Sequence, residues 1–496
     1  MEKKYIIALD EGTTSARTIF YDIEKQEIAF SENKGFEQIF PKPGYVEHDA
    51  EEIWEAQLFT MKNCAKRWKV DMDEVAAIGI TNQRETVIAW DKVTGKPLYN
   101  AIVWQCRRTA DICEGIKGYT GTIKQKTGLV LDAYFSGTKI KWLFDNVPTV
   151  REKADKGELM VGTIDTWLIY KLTGGKVFAT DYSNASRTML FNIHTLTWDN
   201  EILHMLGIPK DILPKVVPSV GVVGYTDKKV VGAEIPIAGI GGDQQCALFG
   251  QGCFEVGSAK NTYGTGCFIL MNTGDKPVYS ENNLLTTIAW GMDGGVQYAL
   301  EGSVYNAGSV IKWLRDEMHM IERASDVDTI VEEVADNGGV YLVPAFTGLG
   351  APFWDMYARG TIVGLTRGSG RKHIIRAAVE SIAFQAKSVF DAMEQDAKLK
   401  LAELKVDGGV SVCDFMLQYQ ADLLKTPVIR PQNRESTGMG AIYMAGIGVG
   451  VWKNTDEVKR QWKLDKKYVP GEKKEERADQ YKKWLKAVKR ASDWEE

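Results

Sequence analysis

Nothing in this chain is paired or clustered as a disulfide scaffold or a zinc site requires. Its seven cysteines (Cys64, Cys106, Cys113, Cys246, Cys253, Cys267 and Cys413) are scattered over 496 residues without Cys-x-x-Cys spacing. An odd, dispersed set predicts free thiols in a reducing, cytoplasmic setting. The five histidines do not cluster, so no zinc site is expected. Net charge is only −5 and no long basic stripe occurs, which leaves a nucleic-acid partner without an electrostatic footprint. The apolar run after Lys3 and Lys4 ends at Asp10. That is too short for a signal peptide or a membrane span, so no integral membrane association is expected. Two familiar phosphate loops are also missing. No G-x-G-x-x-G occurs, and Gly95-Lys96 and Gly175-Lys176 are followed by Pro97 and Val177 rather than by a hydroxyl residue.

What is present is a long α/β alternation. The 44% hydrophobic content allows a large core, and the length allows roughly two to four domains. Ala76–Thr81, Val87–Trp90 and Ile235–Ile240 read as strands. Leu159–Tyr170 reads as a strand that enters a helix at Asp165. Ile375, Ala378, Val379, Ile382, Ala386, Val389, Phe390 and Met393 keep helical spacing and predict an amphipathic helix. Leu401–Val406 reads as a strand leading into Gly408-Gly409. From Glu457 onward the Lys/Glu/Trp-rich tail reads as a solvated helical end.

The pattern doubles. Tyr5–Asp22, YIIALDEGTTSARTIFYD, reads as strand, turn, strand, and so does Ala259–Met271, AKNTYGTGCFILM. Two hydroxyl-glycine hairpins half a chain apart predict two related domains, residues 1–250 and 251–496, that face each other. Gly12 lets a ligand approach the backbone. Thr13, Thr14 and Ser15 add hydroxyls to a turn whose N–H groups can nest phosphate oxygens. Asp10 is suited to hold Mg²⁺ through water, and Arg17 to neutralise a transferring phosphoryl group. Gly264-Thr265-Gly266 repeats this chemistry, so the pair could clamp a triphosphate. A single Gly-Thr-Thr could equally be a plain hairpin turn; two at corresponding positions argue against that.

On the acceptor side, Gly241-Gly242 is expected to turn the chain sharply after a buried strand and project Asp243 from the carboxyl end of a sheet. There a carboxylate can take a hydroxyl proton during phosphoryl transfer; alone, Asp243 could equally be a helix N-cap. Arg84 donates only and Glu85 accepts only, which suits hydroxyls that do both, although an isolated Arg-Glu is ordinarily a surface ion pair. Trp104 and Phe268 could pack a carbon backbone or simply fill core. Gly409 and the stretch Gly302–Gly308 offer small-residue surfaces for an adenine or for tight packing.

With these pieces placed, the chain resembles the FGGY carbohydrate kinases, within the actin/hexokinase/Hsp70 superfamily. YFSGTKIKWLFDN (Tyr134–Asn146) and GTIVGLTRGSGRKHIIRAAVE (Gly360–Glu380) look like the two family signatures. DEGTTSARTIFYD, ITNQRET, IVWQCRR, GIGGDQQCALFGQGCFEVGSAKNTYGTGCF and LVPAFTGLGAPFWD resemble its glycerol-phosphorylating branch. The resemblance implies two ribonuclease-H-like domains with mixed sheets flanked by helices and ATP in the cleft. It implies transfer from ATP to a terminal hydroxyl of glycerol, with Asp243 as general base. By position, Arg84, Glu85, Tyr134, Asp243 and Gln244 would hold the hydroxyls, and Trp104 and Phe268 would sandwich the carbons. Thr13, Thr14, Ser15, Arg17, Thr265, Gly308 and Gly409 would bind phosphates or nucleoside, and Asp10 and Asp243 would serve Mg²⁺. Cys413 and Lys312 stand where many members have Asn and Gln near the base, which leaves base selectivity open. Val231-Gly232-Ala233-Glu234 stands where members that bind fructose 1,6-bisphosphate use a Gly-Arg pattern, and an acid facing a bisphosphate is repulsive, so that inhibition is expected to be absent. Family members also imply a homodimer or higher homo-oligomer, although the sequence carries no interface signature of its own.

Overall fold

The computed structural model describes residues 3–495. Its first large sheet is built from β1 (Tyr5–Glu11), β2 (Ser15–Asp22), β3 (Glu27–Gly35), β4 (Val75–Asn82), β5 (Val220–Tyr225) and β6 (Pro236–Gly242). Their spatial order is β5-β6-β4-β1-β2-β3. The second comprises β7 (Ser258–Tyr263), β8 (Cys267–Gly274), β9 (Leu285–Met292), β10 (Gly295–Val304), β11 (Glu403–Asp407), β12 (Val428–Pro431) and β13 (Leu464–Tyr468). Its order is β9-β10-β8-β7-β11-β12-β13. The helices used below are α1 (Ala50–Trp68), α2 (Ile164–Leu172), α3 (Asp243–Gly250), α4 (Gly308–Asp316), α5 (Arg371–Ala397), α6 (Asp414–Leu424), α7 (Ser436–Gly448) and α8 (Lys474–Ala491).

The two sheets repeat one plan. In each, three strands run antiparallel (β1, β2, β3 and β7, β8, β10), two more join in parallel (β4, β6 and β11, β12), and an antiparallel strand closes the edge (β5 and β13). The doubled hairpin of the sequence is therefore the visible part of a doubled mixed sheet; β9 is an addition to the second copy. The central strands β1 and β4 are almost wholly buried, as parallel strands covered on both faces must be. α1 lies over β2 and β3 and is started by Asp49, whose carboxylate accepts from the N–H groups of Glu51 and Glu52. α5 keeps its predicted apolar face against the second sheet, with Ile375, Ile382, Val389 and Met393 fully buried.

Two expectations need correction. Gly241-Gly242 does not turn the chain: both residues continue β6, and Asp243 is the first residue of α3. Glycine is required there for space, because a Cβ on Gly242 would lie 2.6 Å from Arg84 Cδ. The tail is not simply a solvated helix either. Leu464–Tyr468 pairs with β12 as the sheet edge, and α8 buries Trp484, Ala487, Val488 and Ala491. Trp484 Nε1 donates to Leu342 O at 2.9 Å, and its ring stacks on Phe384. One face of a lysine-rich helix is apolar at helical spacing, and that face is core.

α7 ties the halves together. It comes from late in the chain yet packs on α3, β6, β4 and β1, burying Met439, Ala441, Ile442, Met444 and Ala445 in a shared core. The approach is at backbone distance. A Cβ on Gly440 would overlap the Cys246 carbonyl, and one on Gly79 the Ala441 carbonyl. Gly440→Ala should therefore destabilise by about 1–3 kcal/mol. Gly118→Ala, where a Cβ meets nothing within 4 Å, should be neutral to stabilising by about 0.4–1 kcal/mol. Denaturant midpoints of the two variants check this; equal midpoints would refute the packing account.

A buried acid near the first sheet makes stability depend on pH. Asp165, in the first turn of α2, accepts from Thr163 Oγ1 (2.5 Å) and Thr180 Oγ1 (2.6 Å). Burial, with the charge of Asp181, pushes its carboxyl from 3.8 up to about 7. The folded state thus holds this proton more tightly than the unfolded chain. The associated stability is complete below about pH 4 and is lost as pH rises through 7. Asp165→Asn should flatten the fall in thermal midpoint between pH 5 and 8; parallel curves for variant and parent would contradict the assignment.

Candidate active site

Register brings the site together. Asp10 lies opposite Thr81, and Glu11 opposite Asn82, which in turn lies opposite Gly242. The carboxyl ends of β1, β4 and β6 therefore deliver Asp10, the segment Gln83-Arg84-Glu85, and Asp243 to one place, as open α/β sheets do. Gln83 binds the first hairpin to that edge: its Nε2 donates to Glu11 Oε1 and to Gly12 O, both at 3.1 Å. Burial drives the Glu11 carboxyl well above the usual range. Asp10 is raised to about 7, first by burial, then by the charges of Asp243 and Glu435 against the opposing pull of Arg17.

The hairpin tip is open. Gly12 N–H donates to Ser15 O at 3.0 Å, Thr14 is exposed, and Thr13 Oγ1 accepts from Trp104 Nε1 at 3.0 Å. Trp104 meets the Tyr134 ring edge-on at 5.6 Å between centroids. Phe268 is half-buried at the start of β8, and no ring contact joins it to Trp104 among the described residues. Arg17 is engaged by Glu435, Nη1 to Oε2 at 2.5 Å.

Arg84 and Glu85 are not a surface pair: they are 3% and 1% exposed. Glu85 holds φ at 63°, a left-handed conformation that a non-glycine residue adopts only when its surroundings impose it. Arg84 Nε lies 3.2 Å from Asp243 Oδ1 and 3.8 Å from Glu85 Oε1. Its two terminal nitrogens donate to Glu301, Nη1 to Oε2 at 2.6 Å and Nη2 to Oε1 at 2.8 Å. Arg187 joins both acids, with Nε to Glu85 Oε1 at 2.7 Å and Nη2 to Glu301 Oε1 at 3.2 Å. Burial raises Glu85 despite its arginines. Burial would raise Glu301 too, but Arg187 and Arg84 hold it down at about 2.

Asp243 is set from behind. Gly242 N–H donates to Ser183 Oγ at 2.9 Å, and that hydroxyl donates to Asp181 Oδ1 at 3.0 Å. Gln244 Nε2 donates to Asp243 Oδ2 at 3.2 Å, while Gln244 Oε1 accepts from Lys260 Nζ. Burial lowers that lysine to about 8. Asp243 keeps 32% of its side chain exposed, so it is both anchored and reachable.

The second hairpin is used differently. Gly264 O accepts from Gly308 N–H (3.0 Å), and Thr265 O accepts from Ala307 N–H (2.8 Å) and Ser309 N–H (3.1 Å). Its turn carbonyls thus cap α4, on which Lys312 is exposed. Gly302 is closed by core, since a Cβ there would lie 2.5 Å from Val389 Cγ1. Gly408 at φ +85° lies tight against Tyr263, whereas Gly409 faces open space. Cys413 Sγ donates to Asp328 Oδ1 at 3.2 Å.

Arg84, Glu85, Asp243 and Gln244 are therefore joined, and Thr13, Trp104 and Tyr134 form a second chain of contacts. Thr265, Gly308, Lys312, Gly409 and Cys413 stand on turns and helices of the second half, and among the described residues no hydrogen bond joins any of these side chains to that cluster. Sequence reasoning missed Glu301, Arg187 and Lys260. The available signal was a charge after the apolar run Tyr298-Ala299-Leu300, at Glu301 in β10; Lys260 stands among Ser258, Asn261 and Thr262 in β7 and gave none.

Residues 5–250 match the N-terminal domain, and residues 259–449 the C-terminal domain, of the FGGY family of carbohydrate kinases. A glycerol kinase of Caldanaerobacter subterraneus subsp. tengcongensis is 59% identical over 495 residues, covering 99% of each chain. Glycerol kinase 2 of Thermotoga maritima is 57% identical over 494 residues, again 99% of each. Among solved structures, Plasmodium falciparum glycerol kinase with ADP superposes with a TM-score of 0.93 at 38% identity, covering 99% of this chain and 98% of that one. Ligand-bound xylulose kinase from Lactobacillus acidophilus superposes at 0.88 with 26% identity, covering 98% and 97%. With two copies of one mixed-sheet plan, a buried cluster of acids and arginines at the strand ends and matches over nearly the whole chain, this protein belongs to the FGGY family of carbohydrate kinases.

Proposed function

We propose that this chain transfers the γ-phosphoryl group of ATP to a terminal hydroxyl of glycerol, giving sn-glycerol 3-phosphate and ADP. The observation that carries the reading is the buried Arg84–Glu85 pair beside a reachable Asp243. The glycerol kinases at 57–59% identity support the choice of acceptor. A polyol hydroxyl both donates and accepts; Glu85 accepts, Arg84 donates, and Tyr134 does either. Trp104, with Phe268 from the other sheet, would pack the carbons, and Gln244 would complete the hydroxyl contacts.

Asp243 acts as the base. As the glycerol oxygen bonds to the γ-phosphorus and the bond to the ADP oxygen breaks, the hydroxyl proton passes to its carboxylate. Positioning supplies most of the rate, because the transition state is loose. Thr13, Thr14 and Ser15 on one hairpin and Thr265 on the other would take the phosphates. Gly409, open in front, would leave room for the nucleoside, with Gly308, Lys312 and Cys413 around it. Arg17 would exchange Glu435 for phosphate. No cluster of three or more acidic, Cys or His side chains among the described residues could hold a metal by itself. Asp243 is close enough to Asp10 that its charge disfavours the ionised form of Asp10. That donor set fits Mg²⁺ shared with water and phosphate oxygens, where it would neutralise developing charge. The two sheets would form the two domains, divided near residue 250. Seven buried free cysteines support a cytoplasmic setting, and no helix among the described residues is long and apolar enough to cross a membrane.

A coupled ADP-release assay with MgATP tests the reading, comparing glycerol with dihydroxyacetone, erythritol, xylitol and xylulose. Saturable turnover preferring glycerol is expected. A preference for xylulose would move the chain to the pentulose kinases, and a flat response would leave only a nucleotide switch. Asp243→Asn should lower turnover by about two orders of magnitude or more while ATP binding persists. A near-normal rate in that variant would end the assignment of the base.

A further inference from the structure

We infer that Glu301, supplied by the second sheet, is the positioning residue that reserves Glu85 and Asp243 for the acceptor. The inference rests on the polyol-kinase reading above and extends it to a residue outside the hydroxyl-binding set.

Glu301 stands mid-strand in β10, opposite Leu270 on one side and Leu285 on the other, and has no exposed surface. A carboxylate is expensive in such a place unless it is paired and its lone pairs are filled. Both oxygens are filled, by both terminal nitrogens of Arg84 and by Arg187 Nη2. The pairing is the two-pronged form that fixes a guanidinium in direction as well as in place.

The consequence lies in what remains unpaired. Arg84 reaches Glu85 and Asp243 only through Nε, at 3.8 and 3.2 Å. Glu85 uses Oε1 for Arg187, and its Oε2 makes no hydrogen bond among the described residues. The Tyr134 hydroxyl makes none either, and Arg187 Nη1 is buried without a partner. Glu85 Oε2, which only accepts, and the Tyr134 hydroxyl, which does both, thus stand unpaired beside the cluster, a set that neighbouring hydroxyls would satisfy. Remove the Glu301 charge, and the two-pronged end of Arg84 has Glu85 and Asp243 as its nearest anions. Each is then occupied by protein, and a polyol must displace a guanidinium to bind.

The test is Glu301→Gln, which keeps the shape and removes the charge, together with Glu301→Asp, which keeps the charge but withdraws it by a methylene. Each is assayed for KM and kcat with glycerol, for binding of a non-hydrolysable ATP analogue and for thermal midpoint. Glu301→Gln should raise the KM for glycerol by about tenfold or more, with a smaller change in kcat and unchanged affinity for the analogue. Glu301→Asp should raise KM by less. A structural role alone would lower the midpoint without this selective loss, so a wild-type KM in a folded variant overturns the inference. If Glu301→Gln does not fold, the KM of Glu301→Asp decides. If the parent enzyme prefers another acceptor, the glycerol reading fails by itself, and the same comparison is made with that acceptor.

Discussion

One buried carboxylate holds two guanidiniums between the halves of this molecule, and the acceptor site is arranged around that fact. Ions in a region water does not reach must neutralise one another in place. Arg84 and Arg187 come from the first half of the chain, and Glu301 comes from β10 in the second. Their pairing fixes where the two sheets meet at depth. Gly242 follows from it, because only a residue without a side chain leaves room for the Arg84 stem. The left-handed backbone of Glu85 follows as well, since that turn places Arg84 and Glu85 side by side at the end of β4.

A second tie lies behind the sheet. α7 descends on β1, β4 and β6 at a distance that only glycine permits on both surfaces. Between that contact and the Glu301 cluster, the two halves are held on the closed side of the cleft. The Arg17–Glu435 pair is different. Its side chains are 27% and 43% exposed, and exposed pairs are worth about 0–1 kcal/mol. On the role proposed for Arg17, a phosphate would displace Glu435 at far smaller cost than anything could displace the buried Glu301. Rigid depth and an exchangeable rim are what a two-substrate cleft needs.

How much of this the sequence reveals depends on whether the determinant is local. The hairpins were readable because Gly-Thr-Thr and Gly-Thr-Gly between apolar runs specify a turn within a few residues. The place of Asp243 at the carboxyl end of a buried strand was readable, although the glycines before it continue that strand and do not turn the chain. Arg84 and Glu85 were readable as chemistry but not as environment: an Arg-Glu pair is ordinarily on the surface, and only long-range packing buries it. Glu301 and Arg187 lie 114 positions apart, and neither has a local pattern that names the other. The tail misled for a related reason. Its lysines dominate by number, while Trp484, Val488 and Ala491 occupy one helical face, and the β12 strand that pairs with Leu464–Tyr468 is invisible to a local reading.

The doubled fold also explains why one hairpin sequence does two jobs. Both turns sit at the same position in the same sheet plan. At the first turn no helix follows directly, and the Thr13 hydroxyl accepts from Trp104 Nε1. At the second, the turn carbonyls take the N–H groups that begin α4, so that helix is fastened to the hairpin at its N-terminus. A phosphate contact there falls to the side chain of Thr265, not to a free helix terminus. The first turn is tied to the end of β4 through Gln83 and the second to the start of α4, so the two hairpins are supported differently although their sheets share a plan.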